Sequence, residues 1–337
     1  GGQGLSLSLI RPKGTKVGEH FTSDGIIPFM EIFNKTTESI SQGAGRRGAL
    51  LMSLDINHLE AESFIKIKSD PTKINNANLS VEIDDKFMQC IEHYYHTNEK
   101  VVLHKTQVYD SETIEYDIIP IDLYKLLCKQ AYKYAEPGII FTDRFRNYNL
   151  MEFDSDYSIE TCNPCGEQPL AKNSACLLGA INLSAYVLNP FTEKVQFDFD
   201  SLYKDLFIYY KSLDELIDKG LPYHALEEQK LMASNYRNIG LGTMGWADVF
   251  IKFGLKYGDK NSQKLAYQIS KFLATRCLEI NQILGRELGS FPAMKKEGNI
   301  YGKSSFVKTI TNQDIKIEAL RNCSMLTVAP TGSISSL

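Results

Sequence analysis

Two thiols, an amide and a carboxylate fall within Cys162-Asn163-Pro164-Cys165-Gly166-Glu167, the centre of the stretch Thr161–Leu170. Pro164 removes a backbone donor and turns Asn163 away from helical angles, so the stretch reads as a loop or extended segment. In an extended backbone alternate side chains share a face. Asn163, Cys165 and Glu167 then point together, and an amide, a thiol and a carboxylate converging on one point form a catalytic set. Two other uses of the thiols are weighed against it. A closed zinc site takes four ligands, but Cys162-x-x-Cys165 has no second Cys-x-x-Cys, and the nearest remaining thiol, Cys176, stands by itself. A thioredoxin-like pair opens a helix after a strand, which Pro169 and the polar run 171–174 oppose.

Other stretches carry weaker chemistry. Gln42-Gly43-Ala44-Gly45-Arg46-Arg47-Gly48 reads as a flexible basic loop whose glycines and paired guanidiniums suit a phosphate, with a solvated turn as the equal alternative. Met325–Ile334 reads as a strand running into Pro330-Thr331-Gly332-Ser333-Ile334, where hydroxyls and backbone N–H groups make an anion cradle; local sequence alone favours a plain turn. Gly240–Gly245 matches G-x-G-x-x-G, with Asp259 near the distance of a ribose-binding acid. That fingerprint needs a strand before it and another ending at the acid. Asn235–Asn238 does not read as a strand, so the glycines are expected in helix packing, with no dinucleotide. His93 and His96 share a helix with Cys90 but lack a further ligand, and no metal site is expected.

The elements that would position these groups alternate between strands and helices. Leu5–Ile10 alternates Leu and Ser like a half-buried strand ending at Arg11. Pro28 opens a helix expected to turn Phe29, Met30, Ile32 and Phe33 inward. Ala49–Met52 is an apolar strand, residues 60–67 a short helix, 69–78 a polar loop, and Leu79–Ile83 an alternating strand followed by Asp84, a cap for the next helix. Asp122–Ala135 reads as a helix stopped by Pro137-Gly138, with a strand over Gly138–Thr142. Cys176–Leu183 is continuously apolar, as in a buried strand. Long amphipathic helices run over Phe199–Lys219 and Ser262–Leu288. This succession indicates α/β architecture, and the absence of repeats or low-complexity linkers indicates a single domain over residues 1–337.

With 337 residues the chain can bury a large core, and its net charge of −4 offers no general attraction to nucleic acid or membrane. No apolar run reaches the roughly 20 residues of a membrane span, and no signal peptide opens the chain. Seven irregularly spaced cysteines argue against a secreted disulfide framework and for a reducing cytoplasm. Without an initiator Met, and ending inside a strand-to-loop pattern, the chain is expected to be truncated at both ends.

Taken together, Gly1-Gly2-Gln3-Gly4-Leu5, Arg11-Pro12, Arg46-Arg47-Gly48-Ala49-Leu50, Asn163-x-Cys165-x-Glu167, Cys176–Leu183 and Ala329-Pro330-Thr331-Gly332 resemble, in order, the catalytic large subunit of ribonucleotide reductase. The resemblance runs through nearly the whole chain. It implies a ten-stranded α/β barrel, here partial, with the radical cysteine on a central loop. Cys165 is implied as the thiyl radical that removes the 3′ hydrogen of the ribose. Glu167 is implied as general base on the 3′-OH, and Asn163 as the group that binds the hydroxyls while the 2′-OH leaves as water. Cys176 matches one of two cysteines oxidised to a disulfide, its partner lying upstream in the family. Gly2 and Pro330, Thr331, Gly332, Ser333 and Ile334 match substrate contacts. Arg11, Arg46 and Arg47 match the region that binds nucleotide effectors (dNTP or ATP), and 69–78 the loop that relays their choice. The resemblance further implies a ribonucleotide substrate, a thioredoxin- or glutaredoxin-type reductant and a homodimer. The wording of the Cys165 and Arg46 stretches is closer to adenosylcobalamin-dependent members, while a di-iron partner subunit as radical source stays open. A glycyl-radical enzyme and a non-catalytic zinc- or nucleotide-binding module are the alternatives; a second essential thiol at Cys176 argues against the former.

Overall fold

The computed structural model describes residues 2–42, 46–109 and 112–336, with the side chains of 41, 42, 46 and 47 set aside. The protein is mixed α/β, as the alternation of strand and helix patterns implies. It divides into two compact units, Gly1–Phe145 with Glu160–Pro169, and Arg146–Ile159 with Leu170–Leu337.

The first unit is built on four parallel strands in the order Gly2–Ser6, Ala49–Asp55, Asn78–Ile83, Gly138–Phe141. Period-two alternation gives each strand two faces. Leu50, Met52, Leu54, Leu79, Val81 and Ile83 share one core with Ile26 and Met30 of the Ile26–Ser39 helix. Phe64, Phe87, Ile91 and Leu127, from three further helices, complete it. The opposite face carries Gly4, Leu51, Asn78, Ser53, Ser80, Glu82 and Ile140, small or polar apart from its two aliphatics. Asp84 caps the Asp85–Thr97 helix, accepting from the Phe87 N–H at 2.6 Å.

Several elements differ from expectation. The first strand is Gly2–Ser6, not Leu5–Ile10; the Ser6 hydroxyl accepts from the Ser8 N–H at 3.5 Å and Ile10 N–H bonds Leu7 O at 2.9 Å, bending the chain into a turn. The first helix starts at Ile26, so its buried stripe is Ile26, Met30 and Phe33, and Phe29 and Ile32 are exposed. An antiparallel hairpin, Leu103–Tyr109 with Glu112–Ile118, occupies a stretch with no assigned element.

In the second unit the Leu177–Asn182 strand pairs in parallel with Ile239–Met244. Residues 325–327 run along the other side of Ile239–Met244, with Leu241 N–H on Met325 O at 2.8 Å and Thr327 N–H on Leu241 O at 3.2 Å. The expected strand over Met325–Ile334 is therefore a single bridge, Leu241 to Leu326. Leu177 and Leu178 are 37% and 45% exposed rather than buried, because among the described residues their strand has a ladder partner on one side only. The long helices Phe199–Gly220 and Lys260–Leu288 pack against each other. Asp214, 1% exposed, accepts from Arg237 Nε at 2.9 Å, Arg321 Nε at 2.8 Å and Asn322 Nδ2 at 2.9 Å, and so ties the helix to both extended segments.

The glycines of Gly240–Gly245 are not in helix packing. They lie within and just after a strand, and Gly242 leaves the space into which Thr327 O approaches, 2.9 Å from where a Cβ would stand. The residues before them do form no strand, but a ladder begins at Ile239 itself. Contact between neighbouring backbones accounts for Gly242, and a left-handed φ of +81° for Gly245.

Candidate functional site

The Cys165 stretch lies in the first unit, against the sheet face that carries the small residues. Gly2 and Gly4 let it approach: a Cβ on Gly2 would stand 2.5 Å from Pro164 Cγ, and one on Gly4 only 1.8 Å from Cys162 O. Ser53 Oγ is 2.7 Å from Thr161 Oγ1, and Leu51, Ile140 and Cys162 form a small apolar cluster with Phe145. Asn78, at the end of the 69–78 loop, donates from Nδ2 to Pro164 O at 3.0 Å. The relaying loop of the resemblance is therefore bonded directly to the Cys165 turn.

The stretch is a turn rather than an extended segment. Gly166 N–H bonds Asn163 O at 3.0 Å, with Asn163, Pro164 and Gly166 at the first, second and fourth turn positions that suit them. Gly166 takes φ +81°, a conformation open to glycine. The Asn163 side chain helps close the loop, its Oδ1 accepting from the Gln168 N–H at 3.0 Å while its own N–H bonds Gln168 O at 3.3 Å.

Cys165 is exposed and Cys162 is 2% exposed. Partial burial and the Glu167 carboxylate push the Cys165 thiol up, so it is held as S–H. Burial, then Glu82 and Glu167, push Cys162 up to about 12. Glu167 thus acts on both thiols, which brings two of the three residues expected to converge into one electrostatic environment. Alongside lies a cleft of about 450 Å³ lined by Asn78, Ser80, Gly138, Phe145, Pro164 and Cys165 among others, within the size range of small-molecule sites. Glu82, 7% exposed on the same sheet face, escaped the reading of the sequence. The signal was present: it holds the same alternating phase as Ser80, between residues that enter the core.

Arg11 donates from Nη1 to Lys16 O at 3.1 Å and lies near Tyr109 of the hairpin, as does Glu60. Glu60 accepts from the Lys13 N–H at 3.2 Å and the Ile26 N–H at 3.1 Å, fixing this corner. The backbones of Arg46 and Arg47 pair with Gln42 and Ser41; the expectation for their guanidiniums, like that for the loop 43–45, lies outside the described residues. His93 and His96 are exposed, and among the described residues no three His, Cys, Asp or Glu side chains are grouped to hold a metal. Among the same residues no helix is long and apolar enough to cross a membrane.

In the second unit Cys176 is half-buried at the start of the Leu177–Asn182 strand, its Sγ 3.7 Å from Leu177 O. Its electrostatic neighbours include Tyr157 and the buried Cys323. The Pro330–Ile334 turn is exposed or half-exposed; Thr331 takes φ +56°, Ser335 N–H bonds Thr331 O at 3.0 Å, and Ser336 N–H bonds Ser333 O at 3.4 Å in a short 3₁₀ turn.

Comparison with known proteins agrees along the whole chain. Residues 1–337 match the family model described as the ribonucleotide reductase barrel domain. A vitamin B12-dependent ribonucleoside-diphosphate reductase of Thermoplasma acidophilum is 35% identical over 99% of this chain and 40% of its own length. One of Mycobacterium tuberculosis is 29% identical over 99% of this chain and 44% of its own. A ribonucleoside-diphosphate reductase subunit alpha of Chlamydia muridarum is 23% identical over 100% of this chain and 36% of its own. The chain therefore spans less than half the length of these relatives. Since the family model is matched from the first residue to the last, the chain belongs to the ribonucleotide reductase family, through its barrel domain.

Proposed function

We propose that this chain is the catalytic part of a ribonucleotide reductase, and that both units belong to one ten-stranded barrel domain. The observation that carries the reading is the Cys165 turn. An exposed thiol stands beside a cleft of about 450 Å³, and partial burial together with the Glu167 carboxylate raises it, favouring its S–H form. A cysteine that exchanges hydrogen atoms needs its S–H, unlike a nucleophilic cysteine, which needs the thiolate. As a radical, Cys165 removes the 3′ hydrogen of the ribose and later returns it. Glu167 takes the 3′-OH proton as general base. With Oδ1 engaged by Gln168, Asn163 has its Nδ2 donors for the substrate hydroxyls. The 2′-OH leaves as water, and two electrons come from Cys176 and a second thiol, which become a disulfide.

The remaining assignments follow the family. The backbone of Gly2 and the turn Pro330–Ile334 hold the substrate, a ribonucleoside di- or triphosphate. Arg11, Arg46 and Arg47 hold a dNTP or ATP effector, whose choice reaches the turn through residues 69–78 and the Asn78 bond to Pro164. Two relatives are named vitamin B12-dependent, which supports adenosylcobalamin as radical source over a di-iron partner subunit. The exposed Cys165 thiol fits the approach of such a group; when bound, it supplies the initiating radical. A thioredoxin- or glutaredoxin-type dithiol regenerates Cys176, and the assembly is a cytoplasmic homodimer.

The test follows base release and deoxynucleotide formation in parallel in the complete reductase chain. Cys165→Ser should abolish both, together with exchange of the 3′ hydrogen. Cys176→Ser should still activate substrate, which then decomposes with release of base. Deoxynucleotide formed at the parent rate by the Cys176 variant would refute that residue's role.

A further inference from the structure

The surroundings of Cys176 hold a polar group that the reaction above does not use. Leu177 pairs with Ile239 and donates its N–H to Asn238 O at 3.4 Å, so Cys176 and Asn238 sit at the same end of one ladder. On the other side of that strand Ile239 N–H bonds Ser324 O at 3.4 Å, which brings residues 323 and 324 against Asn238 as well. Asn238 is 2% exposed. Its Oδ1 accepts from Tyr157 OH at 2.9 Å, Cys323 Sγ at 2.9 Å and Ser324 Oγ at 3.1 Å. Donation from both Tyr157 and Cys323 identifies this atom as the oxygen, which fixes the orientation of the amide, while the Ser324 hydroxyl is shared with Ile239 O at 3.1 Å. The other end, Nδ2, is buried and has no hydrogen-bond partner. A buried donor left unpaired is costly. Asn238 and Cys176 meet at a cavity of about 80 Å³, whose lining is otherwise mostly apolar and includes His224.

A neutral thiol is a weak acceptor and a thiolate a strong one. We propose that Asn238 is a positioning residue for Cys176, its Nδ2 donating to the sulfur whenever that sulfur carries negative charge. The inference rests on the reading of Cys176 as one of the reducing pair. The charge arises when an external dithiol regenerates the enzyme. A thiolate of that dithiol attacks the partner sulfur of the Cys176 disulfide; the S–S bond breaks and Cys176 leaves as thiolate, then takes a proton from solvent. The second thiol of the dithiol displaces the mixed disulfide, so the reductant ends oxidised by two electrons and the enzyme reduced by two. A better-stabilised thiolate leaves faster. The titratable groups near the thiol are Tyr157 and Cys323, both kept neutral by burial, and His224 on the cavity wall.

Alkylation of Cys176 by iodoacetamide, followed by peptide mass spectrometry across pH in this chain, tests the proposal without turnover. Cys176 should be half-ionised below the ordinary thiol value of about 8.5. Asn238→Leu should move that midpoint up by one unit or more, slowing alkylation about tenfold at neutral pH. Ser324→Ala, which touches only the Oδ1 side, should cost stability and leave the midpoint in place. A parent midpoint at or above about 8.5 overturns the proposal, even if Asn238→Leu does not fold. So does an unmoved midpoint in a folded Asn238→Leu, or an equal shift in His224→Gln, which would assign the effect to the imidazole. Either failure leaves the product assay on Cys176→Ser intact, so the two readings fall separately.

Discussion

The division of labour between Cys162 and Cys165 is decided by their surroundings. Both are thiols of one short motif, yet Cys162 closes an apolar cluster with Leu51 and Ile140 while Cys165 faces solvent. The types of Asn163, Cys165 and Glu167 were readable in the sequence because each brings a group that chemistry uses. Period two assumed a strand, whereas Gly166 makes a turn that sets Glu167 near Cys165 and the Asn163 side chain on the Gln168 N–H. Glu82 was overlooked although its alternating phase marked it, and Asn238 was not legible, because an amide just before a strand has no local mark of whether it meets solvent or a thiol. The Glu167 carboxylate disfavours the Cys165 thiolate, so removing its charge has a definite sign. Glu167→Gln should lower the thiol's ionisation point and speed alkylation of Cys165 at pH 8, while buried Cys162 stays unreactive. A rate that is unchanged or slower would mean that the carboxylate does not act on Cys165.

At the scale of elements, the site depends on how closely a loop can lie on a sheet. The Gly2 and Gly4 positions read as a family signature in the sequence, and their physical reason is contact: Cys162 O and Pro164 fill the space where side chains would stand. Strand positions were largely legible, since Leu79–Ile83 alternates and both its faces are used. The hairpin of Leu103–Tyr109 and Glu112–Ile118 was not: Ile114, Tyr116 and Ile118 share one phase in its second strand, but the first sets Lys105 and Gln107 opposite Tyr116 and Ile114 and shows no apolar alternation. Adding a methyl at Gly4 forces the Cys162 backbone away from the sheet. Gly4→Ala should therefore destabilise the chain by about 1–3 kcal/mol, as other overpacking substitutions do, and make Cys162 accessible to a thiol reagent under native conditions. Urea unfolding and thiol counting measure the two effects. Parent stability together with a protected Cys162 would show that the loop does not need this contact.

Over the whole molecule, α/β class and family order were legible because they depend on many residues at once, whereas the division into two compact units was not, since no linker composition marks it. Both units bury ionisable thiols that must stay neutral to remain packed. Burial raises Cys277, on the Lys260–Leu288 helix, to about 12, and Cys162 stands at about 12 in the first unit. Cys323 is raised as well. An unfolded thiol ionises near 8.5–9, so the folded chain binds more protons than the unfolded one above that pH. Their contribution to stability is complete below about pH 9 and is lost as pH rises toward about 12, with a slope of up to ~1.4 kcal/mol per pH unit for each proton retained. The carboxylates do not reverse this, because they are ionised in both states across that window. Urea unfolding at pH 8 and pH 10.5 should show a marked loss of stability in the parent chain. Cys277→Ala should cost about 1–2 kcal/mol at pH 8, as a small change in a packed helix does, yet lose less between the two pH values because one titrating thiol is gone. If parent and variant fall in parallel, Cys277 ionises in the folded state as readily as in the unfolded one, and its burial on the Lys260–Leu288 helix does not govern its proton.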